Sequence, residues 1–397
     1  MSFERAYLDW NATAPLRPEA RSAMLTAIDA IGNPSSVHAE GRRARAIVEE
    51  ARRQVAQLVG ARASEVVFTS GGTEANNAAL SRGWKRILVS AVEHESILAA
   101  ARHSGAEIIL LPVDENGVVL IEAVTRALSD VVQPASTLLS VQVANNETGV
   151  VQSLAEIAAA AKSAGVTVHT DAVQAAGRLP IDFKLMGVDL MSISGHKFGG
   201  PKGVGALIVR DGVELAPLLA GGGQEGRRRA GTENVAGIVG LGAAAKAARD
   251  ELTGFARLAE RRTMIEAFIT STIPGSVIVG AGAAERLANT VCFTWPGKAA
   301  ETLLIKMDLD GVAVSSGAAC SSGKVGPSHV LVAMGLPDGA VRSALRVSFG
   351  TSTDEPAIER FVSVLAKIAG RSAGEPVAMI NKPGGPAPRH EMMMGEA

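Results

Sequence analysis

A lysine between two predicted strands is the first residue of this chain that suggests covalent chemistry. Lys197 ends the loop Ser194-Gly195-His196-Lys197, and apolar runs at 190–193 and 204–209 flank this loop. A lysine at a strand end can be shielded from water, which lowers the pKa of its amine and makes the amine a nucleophile toward aldehydes. Most lysines in such loops are instead solvated surface charges. The position alone leaves both interpretations open.

Polar residues also follow several other predicted strands. Gly72 and Thr73 lie at a strand-to-helix turn, where backbone N–H groups and the helix dipole favour a phosphate, although Gly-Thr is also an ordinary helix cap. His94 follows the next strand. Two interpretations are open for it, a ring that stacks on a ligand or a structural histidine. Asn145 begins a turn after a third strand. Asp171 ends a fourth, where surface ion pairing is the plain alternative.

In this order the residues suit pyridoxal 5′-phosphate. That cofactor needs a phosphate-binding turn, a stacking ring, an acid that keeps its pyridine nitrogen protonated and a lysine that carries its aldehyde. Gly72, His94, Asp171 and Lys197 provide these parts in turn. Nucleotide binding has little support, because the turn matches neither the G-x-G-x-x-G pattern nor a Walker A loop.

The elements that must position these residues alternate between strand and helix. Strands are predicted at 66–68, 87–89, 108–111, 137–143 and 166–169, with helices between most of them and two more before them at 18–31 and 37–60. This rhythm predicts an α/β fold with a large, mainly parallel sheet that helices cover on both faces. Ligands bind at the carboxyl ends of the strands in such sheets.

The second half of the chain predicts a smaller α/β unit. A helical stretch at 234–273 precedes strands at 277–279, 291–293, 312–314 and 345–349 and helices at 299–307 and 355–368. We therefore expect a large domain over 16–255, and a small domain built from 1–15 together with 256–370. Residues 371–397 are rich in Gly, Pro and Met and are expected to form a disordered tail.

Composition argues against several classes of protein. The chain has 397 residues, 47% of them apolar, and a net charge of −1, so neither a nucleic acid nor an anionic membrane is expected as its main partner. No stretch reaches the roughly 20 apolar residues that span a bilayer, and the N-terminus has no signal-peptide pattern. Two cysteines, Cys292 and Cys320, argue for a reducing cytoplasm, and no Cys/His cluster has the spacing of metal ligands.

Several longer motifs resemble those of one family. They are Gly32-Asn-Pro-Ser-Ser-Val-His38, Phe68-Thr-Ser-Gly-Gly-Thr-Glu-Ala-Asn76, Ala144-Asn-Asn-Glu-Thr-Gly149, Asp171-Ala-Val-Gln174, Ser194-Gly-His-Lys197, Arg229-Ala-Gly-Thr-Glu-Asn234, Ser315-Ser-Gly-Ala-Ala-Cys-Ser-Ser322 and Leu345-Arg-Val-Ser-Phe-Gly350. From Tyr7 to about Phe361 the chain resembles the fold-type I pyridoxal-phosphate enzymes of the class V aminotransferase group. Within that group it is similar to the cysteine desulfurases of the NifS/IscS kind, whose large sheet is of a seven-stranded type.

The resemblance implies a role for each site residue. Lys197 would hold pyridoxal 5′-phosphate, Asp171 would pair with its ring nitrogen, and Gln174 would bond its phenolic oxygen. His94 would stack on the ring and assist proton transfer. The phosphate site would be formed by Gly72, Thr73, Ser194 and His196. Asn145, also part of the cofactor site, and Arg346 would bind the substrate's carboxylate, Arg346 by a bidentate fork.

The resemblance also implies a reaction and partners. Cys320 lies in a stretch of small residues, and as the family's nucleophile its thiolate would attack the sulfur of L-cysteine to give a persulfide and L-alanine. The persulfide would pass to a sulfur-acceptor or scaffold protein for iron–sulfur cluster assembly. Thr232 would reach the phosphate of a neighbouring subunit, which implies a homodimer. Cys292 alternates with apolar neighbours and is predicted to be core.

Two alternatives accompany this interpretation, together with a departure from the family pattern near the start of the chain. One alternative is a selenocysteine lyase or another class V enzyme. The other is an inactive scaffold homologue, which the joint presence of Lys197, Asp171, Cys320 and Arg346 disfavours. The departure is Trp10, where the family usually has asparagine, and it bears on the entrance of the active site rather than on the cofactor.

Overall fold

The computed structural model describes residues 5–316 and 326–370. Its strands are Ala6–Tyr7 (β1), Val66–Thr69 (β2), Arg86–Ser90 (β3), Glu107–Leu111 (β4), Thr137–Ser140 (β5), Thr167–Asp171 (β6), Leu190–Ser194 (β7), Gly205–Val209 (β8), Thr290–Thr294 (β9), Val312–Ala313 (β10), Ser315–Ser316 (β11) and Ala344–Ser348 (β12).

The helices follow the same chain order. They are Pro18–Ile28 (α1), Ala39–Leu58 (α2), Gly72–Leu80 (α3), Glu95–His103 (α4), Ile121–Ser129 (α5), Leu154–Ser163 (α6), Val235–Asp250 (α7), Leu252–Ala256 (α8), Leu258–Thr272 (α9), Ala300–Leu309 (α10), His329–Ala333 (α11), Asp338–Val341 (α12) and Glu355–Ile368 (α13).

The central sheet has seven strands in the order β2-β8-β7-β6-β5-β3-β4. Six of them point the same way, and β8 alone runs antiparallel to both of its neighbours, β7 and β2. The reversal follows from the short connection between β7 and β8, which is too short for a parallel crossover. The prediction of a large, mainly parallel sheet is confirmed. The carboxyl ends of β2, β3, β5, β6 and β7 therefore meet at one edge.

Apolar side chains of this sheet divide between two cores. Leu88 and Leu139 belong to one buried cluster, whereas their chain neighbours Ile87 and Leu138 belong to another. Because successive side chains in a strand point to opposite faces, the two clusters lie on the two faces of the sheet. The expectation that both faces are covered is confirmed.

A third core is built from the chain termini. It contains Ala6 and Leu8 together with apolar residues from Phe255 to Ala366, and it packs around the antiparallel sheet β11-β12-β9 and the parallel pair β1 and β10. Residues of the C-terminal part, among them Val330 and Leu331, also pack into the first core. The domain boundaries given above stay predictions.

Two predicted elements differ from the structure. The helical stretch at 234–273 is broken into α7, α8 and α9, because Leu241 is buried in the first core while Phe255 and Leu258 are buried in the third, so the chain must turn between them. The strand predicted at 277–279 is wrong, since only an isolated bridge joins Ile278 to Phe293.

The remaining sequence expectations have mixed outcomes. Cys292 is fully buried in β9, as predicted, and burial raises the pKa of its thiol to about 12. No helix in the described residues has the length and apolar character needed to cross a membrane. The predicted tail at 371–397 lies outside the described residues.

Candidate active site

A cavity lies at the carboxyl edge of the central sheet. Its lining includes eight residues that the sequence analysis predicts for one site, namely Gly72, Thr73, His94, Asp171, Gln174, Ser194, His196 and Lys197. Asn11, Asn76, Ser96 and Asn146 also line it. The fold therefore brings together residues from five separate strand ends and from the N-terminal segment.

Lys197 is held at the end of β7. The strand stops at Ser194 and a single 3₁₀ turn, Gly195–Lys197, places the lysine over the cavity. Its Nζ donates to the carbonyl oxygens of Asn11 at 2.6 Å and Ala12 at 3.0 Å. The N-terminal segment thus fixes where the amine of Lys197 lies.

Asp171, the last residue of β6, presents a buried carboxylate with fixed geometry. Its Oδ2 accepts a hydrogen bond from Nδ2 of Asn76 at 2.7 Å, and its Oδ1 accepts from the backbone N–H of Val173 at 2.9 Å. Only 6% of Asp171 is exposed. Both carboxylate oxygens of Asp171 are therefore held in fixed positions at this wall of the cavity.

His94 is held in one tautomer at the start of α4. Its Nδ1 accepts a hydrogen bond from the backbone N–H of Ser96 at 3.1 Å, so the hydrogen of a neutral ring is on Nε2. Burial lowers the pKa of His94; the charge of Asp171 opposes this effect, and those of Lys197 and His329 add to it. The ring is therefore neutral near pH 7 and presents one N–H donor.

The opposite end of the cavity has the features of an anion site. Helix α3 begins at Gly72, and no side chain caps its first N–H groups. A Cβ at Gly72 would lie 2.8 Å from Cγ2 of Val173, so the backbone approaches closely only with glycine there. Nδ1 of His196 is buried without a hydrogen-bond partner among the described residues, and burial lowers the pKa of this ring to about 4. An oxyanion would satisfy these donors.

Arg346 lies in β12, immediately behind this cavity. Its Nη2 donates to Oδ1 of Asp9 at 2.7 Å, and its Nη1 donates to the carbonyl oxygen of Asn146, a residue that lines the cavity. The Nε of Arg346 is buried and has no partner among the described residues. The guanidinium thus keeps one buried donor for a further acceptor.

The side chain of Asn145 makes hydrogen bonds to the backbone, two of them within its own turn. Its Oδ1 accepts from the backbone N–H groups of Glu147 and Thr148 at 2.8 and 2.9 Å, and its Nδ2 donates to the carbonyl oxygen of Val92 at 3.0 Å. Asn146, not Asn145, lines the cavity. A contact of Asn145 with cofactor or substrate stays a prediction.

The remaining predicted site residues are Thr232 and Cys320. Thr232 is exposed just before α7 and lines a different cavity, together with Ser70 and Asn234, so it does not contribute to the site of its own chain. Cys320 lies outside the described residues. The described residues contain no group of three or more His, Cys, Asp or Glu residues placed to hold a metal ion.

Sequence reasoning missed three residues that build the site. The carbonyl oxygen of Asn11 accepts a hydrogen bond from Lys197, Asn76 donates one to Asp171, and Arg178 donates one to Gln174. Asn76 lies within a quoted motif and Asn11 follows Trp10, but a motif does not say which of its members contact one another.

Trp10 does not line the cavity. It is buried, and its ring packs so closely on Gly350 that any Cβ at that glycine would overlap the ring. The departure at Trp10 therefore affects packing between the N-terminal segment and the end of β12 rather than the cavity wall.

Comparisons with known proteins identify the family and the fold of the chain. The family model "Aminotransferase class-V" matches residues 6–361. A cysteine desulfurase of Cereibacter sphaeroides is 44% identical over 377 residues, which cover 92% of this chain and 96% of the relative. The structure of a NifS-like protein from Rickettsia africae has 34% identity and a TM-score of 0.85, over 92% of this chain and all of that one.

A structure described as SspA in complex with cysteine has 30% identity and a TM-score of 0.75, covering 88% of this chain and 100% of the other. The fold is that of the class V aminotransferases, and the family match shows that the chain belongs to them. Its relatives show that, within this family, the chain belongs to the cysteine desulfurases of the NifS/IscS kind.

Proposed function

We propose that the protein uses pyridoxal 5′-phosphate to convert L-cysteine to L-alanine and transfers the sulfur to Cys320 as a persulfide. The observation that carries the proposal is the convergence of Lys197, Asp171, His94 and an uncapped helix start on one cavity. No single residue of this set defines a cofactor site. An amine, an acid, a stacking ring and an anion site in one cavity form the set that this cofactor requires.

The residues present fit the cofactor at both ends. The buried, unpartnered Nδ1 of His196 and the first N–H groups of α3 suit a phosphate, with the hydroxyls of Thr73 and Ser194 lining the same end. At the other end, the Asp171 carboxylate suits a protonated pyridine nitrogen. When bound, pyridoxal phosphate supplies an aldehyde carbon and an electron-withdrawing ring.

Each of the protein's own residues has a separate role in the proposed reaction. Lys197, which lines the cavity, would take the α-proton, and the Asp171 carboxylate would pair with the ring nitrogen of the cofactor. His94 lines the cavity with Nε2–H as its ring donor, and Arg346, held by Asp9 behind the cavity, is proposed for the substrate's carboxylate. The thiolate of Cys320 attacks the substrate's sulfur: an S–S bond forms, the C–S bond breaks, and its electron pair returns to carbon, which gains protons to become alanine.

The proposal extends to assembly and cell biology. An exposed Thr232 outside the cavity of its own chain fits a residue that completes the phosphate site of a second copy, so we place the enzyme in a homodimer. We expect the persulfide to pass to an acceptor or scaffold protein for iron–sulfur cluster assembly, in the cytoplasm. The buried Cys292 leaves Cys320 as the one cysteine with a role in this transfer.

The two cysteines and Lys197 provide the test. Cys320→Ala should keep the visible absorbance of the lysine-linked cofactor and abolish sulfide release from L-cysteine with a thiol reductant. Cys292→Ala is the matched control and should keep sulfide release. Lys197→Ala should lose the lysine-linked absorbance. Undiminished sulfide release by Cys320→Ala, or an unchanged spectrum in Lys197→Ala, would refute the assigned roles.

A further inference from the structure

Arg178 is a buried arginine that the mechanism above does not use. It lies four residues after Gln174, beyond the end of β6, and only 3% of it is exposed. Its Nη1 donates to Oδ1 of Asn11 and to Oε1 of Gln174, both at 2.6 Å. Its Nη2 donates to the carbonyl oxygens of Trp10 at 3.1 Å and Lys197 at 3.0 Å. One guanidinium thus joins the N-terminal segment to two residues of the cofactor site.

The charge of Arg178 is not neutralised by these contacts, because all four acceptors are uncharged oxygens. Burial lowers the pKa of Arg178 to about 9, and the nearby cation Arg346 adds to this effect. Arg52 shows the contrast, since it is bound bidentately by the carboxylate of Glu225 at 2.6 and 2.9 Å. A buried cation without a carboxylate destabilises a fold, so its presence beside an active site calls for a functional reason.

The contacts of Arg178 decide how Gln174 faces the cavity. Oε1 of Gln174 accepts from Arg178, and Nε2 of Gln174 donates to the carbonyl oxygen of Asn11 at 2.9 Å. The reversed amide would set an NH₂ group against the guanidinium and an oxygen against a carbonyl, so it is excluded. One hydrogen of Nε2 is used by Asn11, and the second remains for an acceptor in the cavity that Gln174 lines.

We propose that Arg178 is a positioning residue of the cofactor site, which sets the amide of Gln174 as a donor toward the cavity and keeps a positive charge beside the backbone of Lys197. This inference rests on the proposed function. It adds Arg178 to the site, beside the acid and the glutamine of the motif Asp171-Ala-Val-Gln174. With the cofactor bound, Gln174 would donate to its phenolic oxygen, and the charge of Arg178 would favour the unprotonated form of the Lys197 nitrogen.

The test uses the cofactor-loaded enzyme and two variants that separate charge from hydrogen bonding. Arg178→Gln removes the charge and keeps a donor, whereas Arg178→Lys keeps the charge. Arg262→Gln is the control, because Arg262 is half-buried and also donates to carbonyl oxygens, those of Arg286 and Leu287, far along the chain from this site. Each protein is titrated with pH while the cofactor's visible spectrum is recorded, and kcat and KM for L-cysteine are measured.

The other titratable groups in and around the site are the same in every variant, so differences between variants report on Arg178. They are Asp171 from β6, His94 from the start of α4, His329 from α11, His196 beside Lys197, Lys202 from the following loop and Arg346 from β12.

The expected result is a spectral midpoint about one pH unit higher in Arg178→Gln, with kcat about tenfold lower. Arg178→Lys should restore the midpoint, and Arg262→Gln should leave it unchanged while lowering the melting temperature. Equal midpoints in the wild type and both Arg178 variants, or the same shift in both variants, would overturn this inference alone. A wild-type enzyme that forms no lysine-linked band would overturn the proposed function as well.

Discussion

Replacing Glu147 by glutamine should remove a pH-dependent penalty on folding. Glu147 lies in the turn after β5, is 4% exposed, and accepts a hydrogen bond from Oγ of Ser328 at 2.6 Å. Burial raises the pKa of this carboxyl from 4.5 to about 7, although the Ser328 hydrogen bond and the charge of Arg346 oppose the rise. The native protein therefore holds a proton that the unfolded chain releases at lower pH.

The sign and size of the effect follow from proton linkage. Because the pKa is raised in the folded state, the contribution of Glu147 to stability is greatest below pH 4.5 and is lost as the pH rises to about 7. Between pH 5 and pH 8 the loss amounts to about 2.5 kcal/mol. Glutamine does not titrate, so the free energy of unfolding of Glu147→Gln, relative to that of the wild type, should rise by about this amount over the same range.

Urea unfolding at several pH values measures this difference. Trp10, Trp84 and Trp295 are all buried, so tryptophan fluorescence reports on loss of the native core. Glu115→Gln changes an exposed glutamate and serves as the control, whose pH profile should follow that of the wild type. Parallel profiles for the wild type and Glu147→Gln would contradict the raised pKa and the burial argument behind it.

Two other substitutions test contacts around the site. Asp9→Asn removes the charge that holds Arg346, so KM for L-cysteine should rise about tenfold while kcat stays within about twofold. Steady-state kinetics measure both constants, and a lower kcat at unchanged KM would contradict this expectation. Gly350→Ala should destabilise the protein by about 1–3 kcal/mol, because the new Cβ overlaps the ring of Trp10. In a Trp10→Leu background the penalty should shrink, and an equal loss in both backgrounds, measured by urea unfolding, would refute the overlap.

Most of the large sheet could be predicted from the sequence because its signals are local. Apolar runs mark the strands, and residues such as Asp171 and Lys197 directly follow them, so a parallel sheet necessarily brings them to one edge. The antiparallel β8 follows equally from a short connection. The cavity was thus predictable as a place where polar residues from distant parts of the chain meet.

The contacts that hold the site residues in place could not be predicted from the sequence in the same way. Arg178 contacts Trp10 and Asn11, more than 160 positions earlier in the chain, and no periodicity or spacing reports such a contact. In the pair Asn145 and Asn146, adjacent identical residues have different roles, one within its turn and one at the cavity. Side-chain direction in a turn depends on tertiary contacts, which a motif does not contain.

The most direct test of the central claim is to measure L-alanine and sulfide formed from L-cysteine by the cofactor-loaded enzyme in the presence of a thiol reductant. The proposed function predicts equal amounts of the two products, formed over many turnovers at each site. Pyruvate and ammonia in place of alanine, or a lysine-linked cofactor band with no product from L-cysteine, would contradict it.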